Sequence, residues 1–129
     1  MQNNKSKRFI YNHVYIYMGG EIVSMTTRRD FWNYMKTHPY IILYATAAWC
    51  KPCKRMKPFI LDLFDQMPNN VSLIILDIDK GKNLASYLHI RNVPQVMNFI
   101  HGEPYDIMTG GKAIQLVNLF NTTLDRMGV

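Results

Sequence analysis

Residues 40–46 and 71–78 are two nearly continuous apolar runs. A strand of this kind is buried on both faces, which calls for a largely parallel sheet with helices on either side. In a chain of 129 residues, two such strands leave room for one α/β core and little beyond it.

The stretches between them fit that plan. Residues 21–25 read as a short strand. Thr27, followed three residues later by Asp30, resembles a capping box, with Asp where the box has Glu or Gln, and predicts a helix over 31–36. Pro39 ends it. A second helix is predicted from Cys50 to Met67, kinked at Pro58, which leaves a carbonyl one turn back without its donor. Residues 68–70 form a turn. Residues 79–81 cap a short helix over 83–89. Strands over 96–100 and 104–109 form a hairpin around 101–103. After Gly110 and Gly111, a last helix shows an apolar stripe of Ile114, Val117, Phe120, Leu124 and Met127. The order βαβαβαββα predicts an α/β fold with a mixed central sheet and helices on both faces.

Residues 1–20 read as an N-terminal extension to a domain over 21–129. Tyr11, His13, Tyr15 and Tyr17 alternate with Ile10, Asn12, Val14 and Ile16, the period of a strand. The extension is expected to be partly disordered, up to about Lys7, or an added edge strand.

Composition narrows the function classes. At 48% hydrophobic and 19% charged residues, the chain is globular. Its start is polar and basic, unlike a signal peptide. No run approaches the ~18 apolar residues of a membrane span. No membrane association is therefore expected, and the expected compartment is the reducing cytoplasm. The net charge of +6 fits solubility or an anionic partner. The basic residues cluster at Lys5, Lys7 and Arg8, at Arg28 and Arg29, and from Lys51 to Lys57. Tyrosines beside the first cluster could stack on nucleobases. An edge strand or tail is the favoured reading, so nucleic acid is not an expected partner.

The chain has two cysteines, Cys50 and Cys53, too few for a disulfide scaffold. Trp49 precedes them, and Lys51 and Pro52 lie between them. Two thiols at this spacing can close a small disulfide ring. At a helix start the first sulfur meets the positive end of the helix dipole, which stabilises a thiolate. Lys51, Lys54, Arg55 and Lys57 oppose the dipole, yet their field favours the same thiolate. A zinc site would draw further ligands from His13, His38, His89 and His101. None of these has the close spacing of a zinc pair, so no metal is expected.

Together these features resemble the thioredoxin family over residues 21–127. Trp49, Cys50, Pro52, Cys53 and Lys54 match its active-site signature, with Lys51 in place of glycine. Val93 and Pro94 stand where the family has its cis-proline loop, and Pro58 matches its kink proline. Phe99 and Gly102 match the turn between its last strands, and Gly110 the glycine before its final helix. The resemblance implies a thioredoxin fold and a thiol–disulfide oxidoreductase, monomeric and without a bound cofactor. Its substrates would be protein disulfides, and its electrons would come from a reductase or glutathione.

By the resemblance, Cys50 is the exposed attacking thiolate and Cys53 the buried resolving thiol. Pro52 fixes the first helical turn. Pro94 packs against the sulfurs, the Val93 backbone holds a substrate strand, and Trp49 shapes the rim. Lys51 tunes the thiolate. The family's buried aspartate is replaced by Tyr44, and an accompanying lysine by Ile75. Tyr44 is a poor base at neutral pH. That loss supports an alternative, a thioredoxin-fold binding or adaptor module with vestigial redox activity. The retained cysteines, Pro52 and Pro94 oppose it.

Overall fold

The computed structural model describes residues 10–11, 14–15 and 19–128. The elements in chain order are β1 (Ile10–Tyr11), β2 (Val14–Tyr15), β3 (Ile22–Ser24), α1 (Arg28–Met35), β4 (Tyr40–Thr46), α2 (Lys51–Asp65), β5 (Val71–Asp77), α3 (Lys82–Tyr87), β6 (Gln95–Ile100), β7 (Glu103–Thr109) and α4 (Ala113–Met127). From β3 onward this is the βαβαβαββα order expected from the sequence.

Five strands form one sheet in the order β3-β5-β4-β6-β7. The first three run parallel, and β6 and β7 are antiparallel to their neighbours. The apolar runs take two of the three interior positions, and β6, buried along its whole length, takes the third. Because side chains alternate along a strand, β4 serves two cores. Ile42 and Tyr44 face a cluster with Met56, Ile60 and Phe64 of α2 and Leu116, Leu119 and Phe120 of α4. Ile41, Leu43 and Ala45 face Phe31 of α1 and Leu84 and Ala85 of α3. Met25, Met56, Met67, Met97 and Met108 are among the buried side chains, a role suited to their flexible thioethers.

Several expectations are corrected. In α4 the buried residues are Leu116, Leu119, Phe120 and Thr123, whereas Ile114 is 64% exposed. Thr123 takes a core position because its hydroxyl donates to the Leu119 carbonyl at 2.9 Å and accepts from Asn98 at 3.1 Å. The expected stripe is offset from the buried face: Phe120 lies in the core, and Leu124 and Met127 pack against it from its edge. Helix α1 starts directly after Thr27, whose hydroxyl accepts from the Asp30 amide at 3.2 Å. It thus begins three residues earlier than expected. Asp77, not Asp79, accepts from the loop amides before α3, at 2.9 and 3.2 Å.

The alternation in the extension becomes two short strands, not one. β1 and β2 pair with each other, Ile10 opposite Tyr15, in a sheet of their own. The expected disorder up to Lys7 lies outside the described residues. Gly19 and Gly20 are buried, and their amides donate to the Met67 and Val71 carbonyls at 2.7 and 2.9 Å. A Cβ on Gly19 would meet the Phe64 ring at 2.6 Å, and its φ of +67 is one that glycine adopts freely.

The β6–β7 hairpin turns on His101 and Gly102, with φ values of 50 and 81. Two consecutive positive φ angles define the type I′ turn, whose twist matches that of the flanking strands. Farther along, the β6–β7 register shifts between Met97 and Phe99. The fully buried Asn98 fills this irregularity: its Oδ1 accepts from the Asp106 amide at 2.6 Å.

Candidate redox site

Strand β4 runs out at Thr46, and a short turn delivers Cys50 to the start of α2. The Cys50 amide donates to the Ala47 carbonyl at 3.1 Å. Cys50 itself is the N-cap, in extended conformation, and its Sγ accepts from the Cys53 amide at 3.2 Å. One of the orphan donors of the helix start is thus directed at sulfur. Pro52 lies in the first turn, where an N–H would have no helical acceptor. Cys50 and Cys53 are joined by a disulfide, with Cα atoms 5.3 Å apart. Among the described residues no group of His, Cys, Asp and Glu is placed to hold a metal ion.

Cys53 is fully buried, as expected. Cys50 is only 3% exposed, so the expected open sulfur is not found in this disulfide-bonded state. The cause is local: Cys50 caps its own helix and faces the Cys53 amide, which turns its sulfur inward. It is still the more accessible of the pair.

The register of β6 against β4 pairs Gln95 with Ala45. Pro94 therefore lies level with the end of β4, beside the turn that carries Cys50. The Val93–Pro94 peptide is cis. Pro94 is buried, and its carbonyl accepts from the Gly110 amide at 3.2 Å, which ties this loop to the approach to α4. Val93 is half-buried and packs against both apolar clusters. Trp49 stands out from the surface, 65% exposed, with its indole N–H donating to Asp79 Oδ2 at 2.8 Å. The expected site residues thus gather at one end of the sheet.

Tyr44 has a role beyond replacing an acid. Its side chain is 1% exposed, and its hydroxyl donates to the Cys53 carbonyl at 2.6 Å. Burial raises its pKa, and the Thr46 hydroxyl pulls weakly the other way. The phenol is therefore a donor at neutral pH, not a base. Ile75 is its register partner on β5 and supplies no charge.

Two features escaped the sequence reading. Asp79 falls in the expected cap of α3, and nothing local marks it as the partner of a tryptophan 30 residues away. A groove of about 220 Å³ lies between α2 and α4, lined by Pro52, Arg55, Met56, Phe59, Lys112 and Leu116 among others. It needs tertiary contact between the two helices, which no single segment encodes.

A mixed five-stranded sheet that presents a helix-capping disulfide beside a cis-proline loop defines a thioredoxin-fold protein with a dithiol–disulfide centre. The sequence profile of the Thioredoxin family matches residues 22–122, and the chain belongs to that family. Over 98 residues it is 28% identical to Thioredoxin-2 of Pyricularia oryzae, covering 76% of this chain and 57% of that protein. It is 38% identical over 80 residues to the mitochondrial Thioredoxin O1 of Arabidopsis thaliana, covering 60% of this chain and 41% of that one. With the thioredoxin of Rickettsia felis the match covers 61% of the relative, so the chain spans about three fifths of the length of the first of these curated relatives. The crystal structure of Arabidopsis thioredoxin O1 in its oxidised state superposes with a TM-score of 0.68 at 32% identity, covering 78% of this chain and 96% of that one. Oxidised mitochondrial thioredoxin 3 of Saccharomyces cerevisiae gives a TM-score of 0.73 at 23% identity, covering 78% and 94%, a likeness of fold.

Proposed function

We propose that this protein is a thiol–disulfide oxidoreductase acting on protein disulfides. The observation that carries the reading is the Cys50 sulfur, which caps a 15-residue helix, accepts the Cys53 amide and is bonded to the Cys53 sulfur. In the reduced protein, Cys50 thiolate attacks one sulfur of a substrate disulfide. The other substrate sulfur leaves as thiolate, and a mixed disulfide forms. Cys53, deprotonated, then attacks Cys50 Sγ, which closes the internal disulfide and expels the second substrate thiolate. Two electrons have passed to the substrate. An external dithiol or two thiols, from a reductase or glutathione, restore the protein. No bound cofactor takes part.

Trp49, Val93 and Pro94 form the surface on which the substrate strand rests, and Lys51 supports the thiolate. The adaptor alternative is not favoured, because both sulfurs are in bonding position. The same reading places the protein as a monomer in the reducing cytoplasm. The low cysteine count favours a reducing compartment, and fractionation and sedimentation test the compartment and the monomeric state. The activity is tested by insulin reduction with dithiothreitol. The wild type accelerates precipitation of the insulin chains, and Cys50→Ser abolishes the acceleration. Equal rates for the two proteins would refute the assignment.

A further inference from the structure

We propose that the rim of the redox site selects disulfides lying in acidic segments of partner proteins. This rests on the oxidoreductase reading and adds a substrate class to it. Lys51, Lys54, Arg55 and Lys57 occupy the first two turns of α2, all exposed. Lys112 is the N-cap of α4. Neither helix has an acidic residue in its first turn, and α4 has no side-chain cap. Among the described residues none of these five cations is paired with a carboxylate. Asp79 holds the Trp49 indole, and Asp77 accepts from loop amides.

The arrangement is unfavourable within the folded chain. Cations at a helix N-terminus oppose its dipole. Lys51 and Arg55, one turn apart, repel each other. Both conflicts are relieved by an anion from outside. The groove between α2 and α4 sets the form of that anion. Arg55 and Lys112 flank it, Met56, Phe59 and Leu116 supply apolar surface, and Pro52 joins it to the cysteine ring. A peptide can place an apolar side chain in the groove, carboxylates against the two cations and its own disulfide beside Cys50. A nucleic acid brings the charge but neither the aliphatic side chain nor the disulfide, so the partner is an acidic polypeptide.

The test uses the full chain, reduced, in stopped-flow reaction with two cystine-bridged peptides. They are identical except that the flanks carry Glu in one and Gln in the other. At low ionic strength the Glu peptide reacts on the order of 10-fold faster, the scale of electrostatic steering. The ratio falls toward one at about 1 M salt, where the screening length is only about 3 Å. The double variant Arg55→Glu/Lys112→Glu, changed only at exposed positions, brings the ratio close to one. A wild-type ratio near one with brisk turnover overturns the proposal, as does a preference that survives in the double variant. Single-stranded DNA that protects Cys50 more strongly than the Glu peptide also overturns it. If neither peptide reacts, the oxidoreductase reading fails separately. Fluorescence anisotropy with the same peptides, carrying Ser for Cys, then decides the docking: tighter binding of the Glu form supports it, and equal binding overturns it.

Discussion

Tyr44 and Cys53, nine positions apart, are joined by a hydrogen bond from the phenol to the backbone carbonyl at 2.6 Å. The central strand thereby grips the first turn of α2 at the residue that must turn and attack. Tyr44→Phe keeps the ring and removes the donor. The expected loss of stability is about 0.5–1.5 kcal/mol, the net worth of a typical hydrogen bond. Denaturant unfolding should show a lower midpoint and an unchanged slope. Closure of the internal disulfide should slow, as read by release of a chromogenic mixed disulfide. Tyr44→Asp should be less stable than Tyr44→Phe, because a buried carboxylate has no partner there and faces a carbonyl, also an acceptor.

In the reduced protein, Cys50 should be alkylated before Cys53. The fully buried sulfur is shielded, and the Cys50 sulfur receives the Cys53 amide and the helix dipole. Mass mapping after brief iodoacetamide treatment reads the ratio. Lys51→Glu should slow the Cys50 reaction, since an anion replaces the neighbouring cation. Equal labelling of both cysteines would reverse the roles assigned to them.

Alkaline pH should destabilise the fold through two tyrosines. Burial raises the Tyr34 phenol, and its bond to Glu21 at 2.6 Å raises it further. Tyr44 is raised by burial. An unfolded tyrosine ionises near pH 10. Above that pH the unfolded chain has lost protons that the folded chain keeps, so unfolding becomes easier as pH rises. Stability from these groups is complete below about pH 10 and falls above it. Denaturant midpoints from pH 8 to 11 should fall less steeply for Tyr34→Phe than for the wild type.

Asn98→Leu should cost roughly 1–3 kcal/mol, since it strands the Asp106 amide and removes the donor to the Thr123 hydroxyl. The double variant Asn98→Leu/Thr123→Val should be no more stable than the single one, because valine also removes the hydroxyl's bond to the Leu119 carbonyl. Thermal unfolding of the three proteins checks both statements.

The strands were legible because apolar runs such as residues 40–46 can satisfy themselves only when covered on both sides. The cysteine loop was legible because spacing and proline define its geometry locally. Asn98 and Thr123 were not, since polar residues in a core make sense only once their partners, 25 positions apart, are together. The same holds for Trp49 with Asp79 and for Tyr44 with Cys53. In each case nothing in the sequence couples the two residues, and only the packed chain makes them a pair. The pairing of β1 with β2 was missed for another reason: period two alone does not say where a strand breaks.

The burial of Gly19 and Gly20 has a practical consequence. Gly20 is bonded to Val71, which stands opposite Tyr40 at the start of β4, whereas Cys50 follows the far end of that strand. Seven residues of strand separate the two ends, roughly 20 Å at ~3.3 Å per residue. A bead, a dye or a fused carrier attached ahead of Gly19 would thus be joined at the pole remote from the sulfurs. Immobilised by this handle, the protein would keep its reactive end turned toward solution.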